Sequence, residues 1–312
     1  MIQLINKKEN IYGDNIAKVE QYDFSRANTS DEARTLAITS IATVCTQKFE
    51  SIGSEKLCTK LLTEAHGIPS SAYGFVPVLL NRAQRLRIYT MVKNTILKKR
   101  NEGKNVFLIS HVDLCGINIE KFGQLVENDE YLLTNLRALV NDIGLEASKE
   151  FYNTDENEIA IVKKHFKVFK HKMDIRSARQ FMRHTTAVWQ ELSRRYVSGK
   201  KVPFEFYISD KMKNIYDDYS AIGCWTIEQI DGKIPPSTKT IQEQLLEIYN
   251  DAIEQGIKPQ DARDILPLCT YTEIWSGWQP FALQNMLTER TAIGTQWELR
   301  QTALAIKELI AE

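Results

Sequence analysis

The residues best suited to chemistry lie between positions 174 and 200. Gln180, Arg183, His184, Ala187 and Glu191 recur every three or four residues, a spacing that predicts one polar face of a helix. Ala178, Phe181, Met182, Thr185, Val188, Trp189 and Leu192 share that period and predict its apolar face. Ser193, Arg194, Arg195 and Tyr196 follow directly. Planar guanidinium forks beside a hydroxyl and a helix-end amide suit a phosphate-bearing ligand. A glutamine offers both a donor and an acceptor to a pyrimidine edge. A solvated basic face with Glu191 paired locally would carry the same pattern. Ser193 as a nucleophile needs an adjacent base. His184 lies a full nine positions earlier, so the hydroxyl reads better as a positioning group or a helix end. Arg263 fits either a phosphate or a salt bridge with Asp261 or Asp264 at a helix start.

Composition narrows what those residues can serve. The chain has 312 residues, is 43% hydrophobic and 26% charged, and balances 40 basic against 40 acidic side chains. A protein built to grip a nucleic acid polymer would carry a net basic surface. The balance argues against that role but leaves room for a local basic pocket. No apolar run reaches the length that spans a bilayer. Cys45, Cys58, Cys115, Cys224 and Cys269 are odd in number and lack C-x-x-C spacing, so they read as buried thiols in a reducing, cytoplasmic setting. His165 and His171 lack a third clustered ligand, and no metal is expected. There is no dinucleotide fingerprint, Walker loop or nucleophile elbow.

The elements that must position these residues read as α+β. Ser30 and Asp31 open a helix through Ala37, Ile38, Ile41 and Val44. A second helix is expected from Ser54 to Ala65, stopped by Gly67 and Pro69. Residues 74–80 are an apolar run that periodicity leaves open between helix and strand. Residues 82–157 read as an α/β insertion, with a helix over 83–101 carrying Leu86, Tyr89, Val92 and Ile96, a strand over 105–110, and a helix over 130–143 ended by Gly144. Phe151 to Glu158 reads as a polar connection and Ile159 to Phe169 as a strand. Thr240 and Glu243 form a capping-box pattern before the stripe Ile241, Leu245, Ile248, Tyr249 and Ala252, which Gly256 ends. Helices over 280–289 and 294–311 complete the chain, with Trp189 and Trp297 as core aromatics.

Three ordered blocks carry a resemblance. Arg179-Gln180-Phe181-Met182-Arg183-His184-Thr185 with Glu191-Leu192-Ser193-Arg194-Arg195-Tyr196 resembles the signature of the flavin-dependent thymidylate synthases. Ala262 to Leu268 with Tyr271-Thr272, and then Asn285, Arg290 and Gln296-Trp297-Glu298-Leu299-Arg300, match further at that family's spacing, so that the resemblance covers about residues 158–311. It implies that family's α+β fold, a mixed sheet with long helices. Residues 1–81 would be an N-terminal α/β segment of the catalytic domain, 82–157 an insertion, and 158–312 the nucleotide-binding catalytic portion.

The resemblance also implies methylation at uracil carbon 5 of dUMP, or a related one-carbon transfer such as hydroxymethylation. FAD would be the cofactor, NADPH and methylenetetrahydrofolate the co-substrates, and a homotetramer would form the sites at subunit interfaces. On the substrate side it points to Gln180, Arg183, Glu191, Ser193, Arg195, Arg263 and Arg290, with Arg290 polarising the uracil carbonyl and Ser193 beside it as the catalytic pair. On the FAD side it points to His184, Thr185, Thr186, Gln279 and Asn285. That side departs from the family: Thr185 and Phe281 stand where Arg is usual, Gln279 where Asn is, and Gly294 where His is. The family's upstream Glu-His pair falls on either Lys164-His165 or Tyr73-Gly74. The departures keep open a non-catalytic pyrimidine-nucleotide-binding paralogue or assembly subunit, and an interaction protein that works through residues 82–157.

Overall fold

In the computed structural model of the chain, residues 2–63, 69–101, 117–209, 212 and 241–311 are described. Two strands open it, β1 (Gln3–Glu9) and β2 (Lys18–Asp23), followed by α1 (Asp31–Thr43), α2 (Glu55–Thr63), β3 (Pro77–Asn81) and α3 (Arg82–Asn101). Next come α4 (Asn118–Lys121), β4 (Gln124–Val126), β5 (Tyr131–Asn135), α5 (Leu136–Ile143), α6 (Leu145–Ser148) and α7 (Glu156–His165). The second half holds β6 (Lys167–Asp174), α8 (Ile175–Phe181), β7 (Val188–Glu191), α9 (Ile241–Glu254) and α10 (Pro259–Ala262). It closes with β8 (Tyr271–Trp278), α11 (Pro280–Arg290) and α12 (Trp297–Ala311). The expected strand over 105–110, Cys115, Cys224 and Thr240 lie outside the described residues.

A five-stranded sheet in the order β1-β2-β6-β8-β7 separates two apolar cores, and a three-stranded sheet β3-β5-β4 builds one of them. The α+β expectation stands. The expected mixed sheet does not, because every described pairing is antiparallel. Strand alternation divides the side chains. Val168 and Trp275 pack with Ile41, Phe75, Leu79 and Leu136. Phe169, Met173, Ile274 and Trp278 pack with Phe181, Met286, Leu299 and Ile306.

Several local readings hold for the reasons that suggested them. Ser30 caps α1 by accepting from the Ala33 amide. Gly144 and Gly256 end α5 and the turn after α9 at φ of +83° and +85°, where a side chain would be strained. Residues 71–75 form a short 3-10 turn that feeds β3, which settles the open apolar run.

Three readings are corrected. Leu132 belongs to β5, not to a helix from 130, because Asn135 restarts the chain by capping α5 through the Ala138 amide. Residues 156–165 are helical, not a strand, because Asp155 accepts from the Asn157 and Glu158 amides and caps α7. The long helix after Asp174 stops at Phe181, where Thr185, Thr186 and Val188 give way to a strand paired with β8. Elsewhere Leu86 and Ile248 face outward while Ile88 and Tyr249 are buried, and Trp297 is half exposed. Cys45, Cys58 and Cys269 are free thiols and partly buried. Among the described residues no helix is long and apolar enough to cross a membrane.

Within the stretch read as a polar connection, Asn153 is a buried staple. The Asn153 side chain accepts from the Leu79 amide at 3.2 Å and from Asn28 Nδ2 at 3.1 Å, and donates to the Leu79 carbonyl at 3.0 Å. Asn28 Oδ1 in turn accepts from Arg34 Nε at 2.6 Å. These bonds satisfy the outer edge of β3, which no strand among the described residues covers. Asn153→Ala orphans buried donors and acceptors without water to replace them, and should lower the unfolding free energy by about 2–4 kcal/mol in urea titrations.

Candidate active site

The pairing of β7 with β8 organises two concave regions. Their register runs from Val188 opposite Gly277 to Glu191 opposite Ile274. Three residues of extended chain therefore separate the two ends by roughly 10 Å. An aromatic knot fixes β7 in place. Trp189 lies 5.1 Å from the Phe181 ring and 5.2 Å from that of Trp278, both edge-on. Its Nε1 donates to the His184 carbonyl at 3.0 Å, which pins the turn that links α8 to β7.

At the Glu191 end is a cavity of about 600 Å³, lined by Arg179, Glu191, Ser193, Arg263 and Thr272 among others. Thr272 Oγ1 donates to Glu191 Oε1 at 3.1 Å. Burial pushes the Glu191 carboxyl above the usual range, while that hydrogen bond and the charges of Arg179 and Arg263 draw it back. Gln260, on α10, ties a further arginine, Arg195, to Arg263 at the cavity rim. Its side-chain oxygen accepts from Arg195 Nε at 3.1 Å and its carbonyl accepts from Arg263 Nε, also at 3.1 Å. Glu191, Ser193, Arg195 and Arg263 therefore come together. Arg194 also lines the cavity, but its guanidinium is engaged, donating to the Val202 carbonyl at 2.7 Å and lying over the Phe204 ring. The sequence reading passed over Arg179. The signal was present, since Ile175 and Arg179 are one helical turn apart on the same cavity wall.

Gln180, Arg183 and Arg290 sit elsewhere. Gln180 Nε2 donates to Gln296 Oε1 at 2.6 Å, and Gln296 is itself bonded to Ser177 and Glu298. Arg183 is exposed in the turn after α8. Arg290, at the end of α11, donates through Nε to His184 Nε2 at 2.8 Å. His184 is buried, and burial first and then the Arg290 charge depress its pKa below the ordinary histidine value. The predicted polar stripe is thus split between two corners of the chain, because the helix that would have aligned it ends at Phe181.

The Val188 end opens on a cleft made of two adjoining cavities of about 460 and 480 Å³, which share Lys121, Phe122, Thr185, Thr186 and Gln279. Thr185, Thr186 and Gln279 are brought together here. Gln279 is also a clamp, since Nε2 donates to the carbonyls of Phe122 at 2.7 Å and Leu133 at 3.2 Å. The neighbouring Phe281 amide donates to Gln124 Oε1 at 2.8 Å. Asn285 lies further along α11, bonded to Glu289. Of the two upstream alternatives, Gly74 lines the cleft, where a Cβ would come within 2.6 Å of Val188. His165 instead bonds Glu127 at 2.6 Å. His171 is a buried core histidine whose ring meets Ser276 Oγ at 2.7 Å, and burial pushes it down to about 3. Among the described residues no group of His, Cys, Asp and Glu could hold a metal ion.

Comparison with known proteins falls on this half of the chain. Residues 161–312 match the family described as thymidylate synthase complementing protein. The flavin-dependent thymidylate synthase of Thermosipho africanus is 32% identical over 145 residues, covering 46% of this chain and 62% of that protein. That of Thermotoga neapolitana is 32% identical over 144 residues, covering 46% and 61%. That of Pseudothermotoga lettingae is 33% identical over 145 residues, covering 45% and 59%. The chain spans about three fifths of the length of these curated relatives. The resemblance carried by the three sequence blocks is borne out over the second half of the chain.

The His184–Arg290 contact fixes a sign. A histidine that accepts from a guanidinium must be neutral at that nitrogen, so protonation opposes the contact. The His184 imidazole, followed by NMR, should titrate below 6.5, the ordinary histidine value. Arg290→Ala should move its midpoint upward. Because the folded-state pKa is depressed, the stability tied to His184 is present above the unfolded value and lost as pH falls below it.

Proposed function

We propose, from the likeness of its second half to the flavin-dependent thymidylate synthases, that the protein transfers a one-carbon group to carbon 5 of uracil in dUMP. The observation that carries this reading is the cavity where Glu191, Ser193 and Arg263 converge, with Arg195 held at its rim through Gln260. Arg195 and Arg263 bind the phosphate as fixed forks, Ser193 hydrogen-bonds the nucleotide, and Gln180 and Arg183 reach the pyrimidine. Arg290 donates toward the uracil carbonyl, where charge develops as carbon 5 gains the methylene of methylenetetrahydrofolate and loses its proton, and as the carbon–nitrogen bonds to the folate break to release tetrahydrofolate. When bound, reduced FAD supplies the hydride that completes the methyl group, with NADPH as the reductant.

The separation of Gln180, Arg183 and Arg290 from the Glu191 cavity within one chain supports sites completed by a second copy, as in a homotetramer. The cleft fits a phosphate-bearing cofactor in its donor chemistry. The hydroxyls of Thr185 and Thr186 line it, and among the described residues no carboxylate does. His184 and Asn285 would support the FAD from behind that lining. We read residues 82–157 as a segment added to a catalytic portion formed by 1–81 and 158–312, and the setting as cytoplasmic. A non-catalytic nucleotide-binding paralogue is the second reading. It is favoured by Gln279, whose amide nitrogen is already engaged by two backbone carbonyls.

Chromatography of dUMP incubated with the protein, FAD, NADPH and methylenetetrahydrofolate separates the two readings. The enzyme yields dTMP, or hydroxymethyl-dUMP in the related chemistry, and Arg290→Ala should slow it roughly 100- to 1000-fold, the usual loss for one preorganised donor. Arg195→Ala should weaken dUMP at least tenfold in equilibrium dialysis while leaving deoxyuridine unchanged. Unchanged dUMP affinity would refute the assignment of the phosphate pocket. Binding without any product would leave the paralogue.

A further inference from the structure

The cleft beside Thr185 has a charge that the chain as a whole lacks. Among the described residues its lining includes two cations, Lys121 and Arg137, and no Asp or Glu, although the sequence balances its charges. Neither cation makes an ion pair among the described residues. Both come from the first half of the chain, outside the region that matches the family.

Their supports are rigid. Asp142 holds the start of α4 by accepting from the Asn118 and Ile119 amides at 3.0 and 2.9 Å and from Asn118 Nδ2 at 2.7 Å. That fixes the short turn from which Lys121 projects. Arg137 is the second residue of α5, whose first turn Asn135 caps, and its neighbours Leu136, Ala138 and Leu139 are buried. Cations without an ion-pair partner, in a concavity with no carboxylate among the described residues, lower the free energy of an anion placed beside them and the hydroxyls of the same lining.

We propose that Lys121 and Arg137 form the anion-binding wall of this cleft and hold the diphosphate of FAD, supplying from the first half of the chain the positive charge that Thr185 and Phe281 do not. This deepens the flavin reading above and rests on it. A diphosphate diester carries two negative charges, and Arg137 can engage it as a planar fork where Lys121 acts as a point charge. Riboflavin has the same ring system and no phosphate, so it isolates the contribution of the two cations.

The experiment titrates full-length protein with FAD and with riboflavin, following tryptophan fluorescence. It compares the wild type with Lys121→Gln, Arg137→Gln and Arg137→Lys, and thermal melts check that each variant is folded. The expected result is a Kd for FAD raised at least tenfold by each glutamine variant and partly recovered in Arg137→Lys. The Kd for riboflavin should stay within about twofold of the wild type. Lys121 is exposed, so its variant carries the test even if Arg137→Gln fails to fold. If the folded variants bind FAD as the wild type does, the two cations are not its diphosphate site, and the flavin reading stands without them. If FAD and riboflavin weaken together, the effect lies in the shape of the cleft and the proposal is overturned. A wild-type protein that binds neither flavin overturns both this proposal and the flavin reading.

Discussion

The short β7–β8 ladder is the constraint on which the candidate site depends. Its four residue pairs carry Glu191 to one cavity and Val188 to the cleft. Because an extended chain has a fixed rise per residue, the spacing of the two regions is set by backbone geometry, not by side-chain choice. The aromatic knot of Phe181, Trp189 and Trp278 holds that ladder from one face. Gly74 permits the close approach of the 3-10 turn on the other, since any side chain there would meet Val188. Both regions therefore inherit their geometry from the same few residues.

Electrostatics divides along the same line. The cavity gathers arginines around the half-buried Glu191 carboxylate, whose ionisation burial opposes and whose cationic neighbours favour. Among the described residues the cleft holds cations without a carboxylate. A net charge of zero conceals this, because a sum over eighty charged side chains carries no record of position.

Much of this was legible in residue order where the signal is local. The cap at Ser30, the stops at Gly144 and Gly256 and the helices over 280–311 each follow from residues within a turn of one another. The family resemblance rested likewise on contiguous blocks, and Glu191, Ser193, Arg195 and Arg263 do converge. Beyond the local caps of Asn135 and Asp155, the failures share one cause. Val188 to Glu191 fits a helical period as well as a strand's, and its partner in β8 lies more than eighty residues away. Asn153 looks like any loop asparagine until the edge of β3 meets it. Lys121 and Arg137 are unremarkable surface cations in sequence, and only tertiary contact brings them opposite Thr185.

Gln279 and Phe281 carry a consequence for how such a chain can change over time. Their three donated hydrogen bonds run from the start of α11 to Phe122, Leu133 and Gln124. The Leu136 amide is likewise bonded to the Val76 carbonyl at 2.8 Å, and Leu132, Leu133 and Leu136 complete the core around Leu79. Excising residues 117–151 would strand those donors and open that core in a single step, whereas changes at the cleft surface can accumulate one by one. Mutation acts here as a ratchet: the outer wall of the cleft can be retuned residue by residue, whereas its loss would be a single costly step.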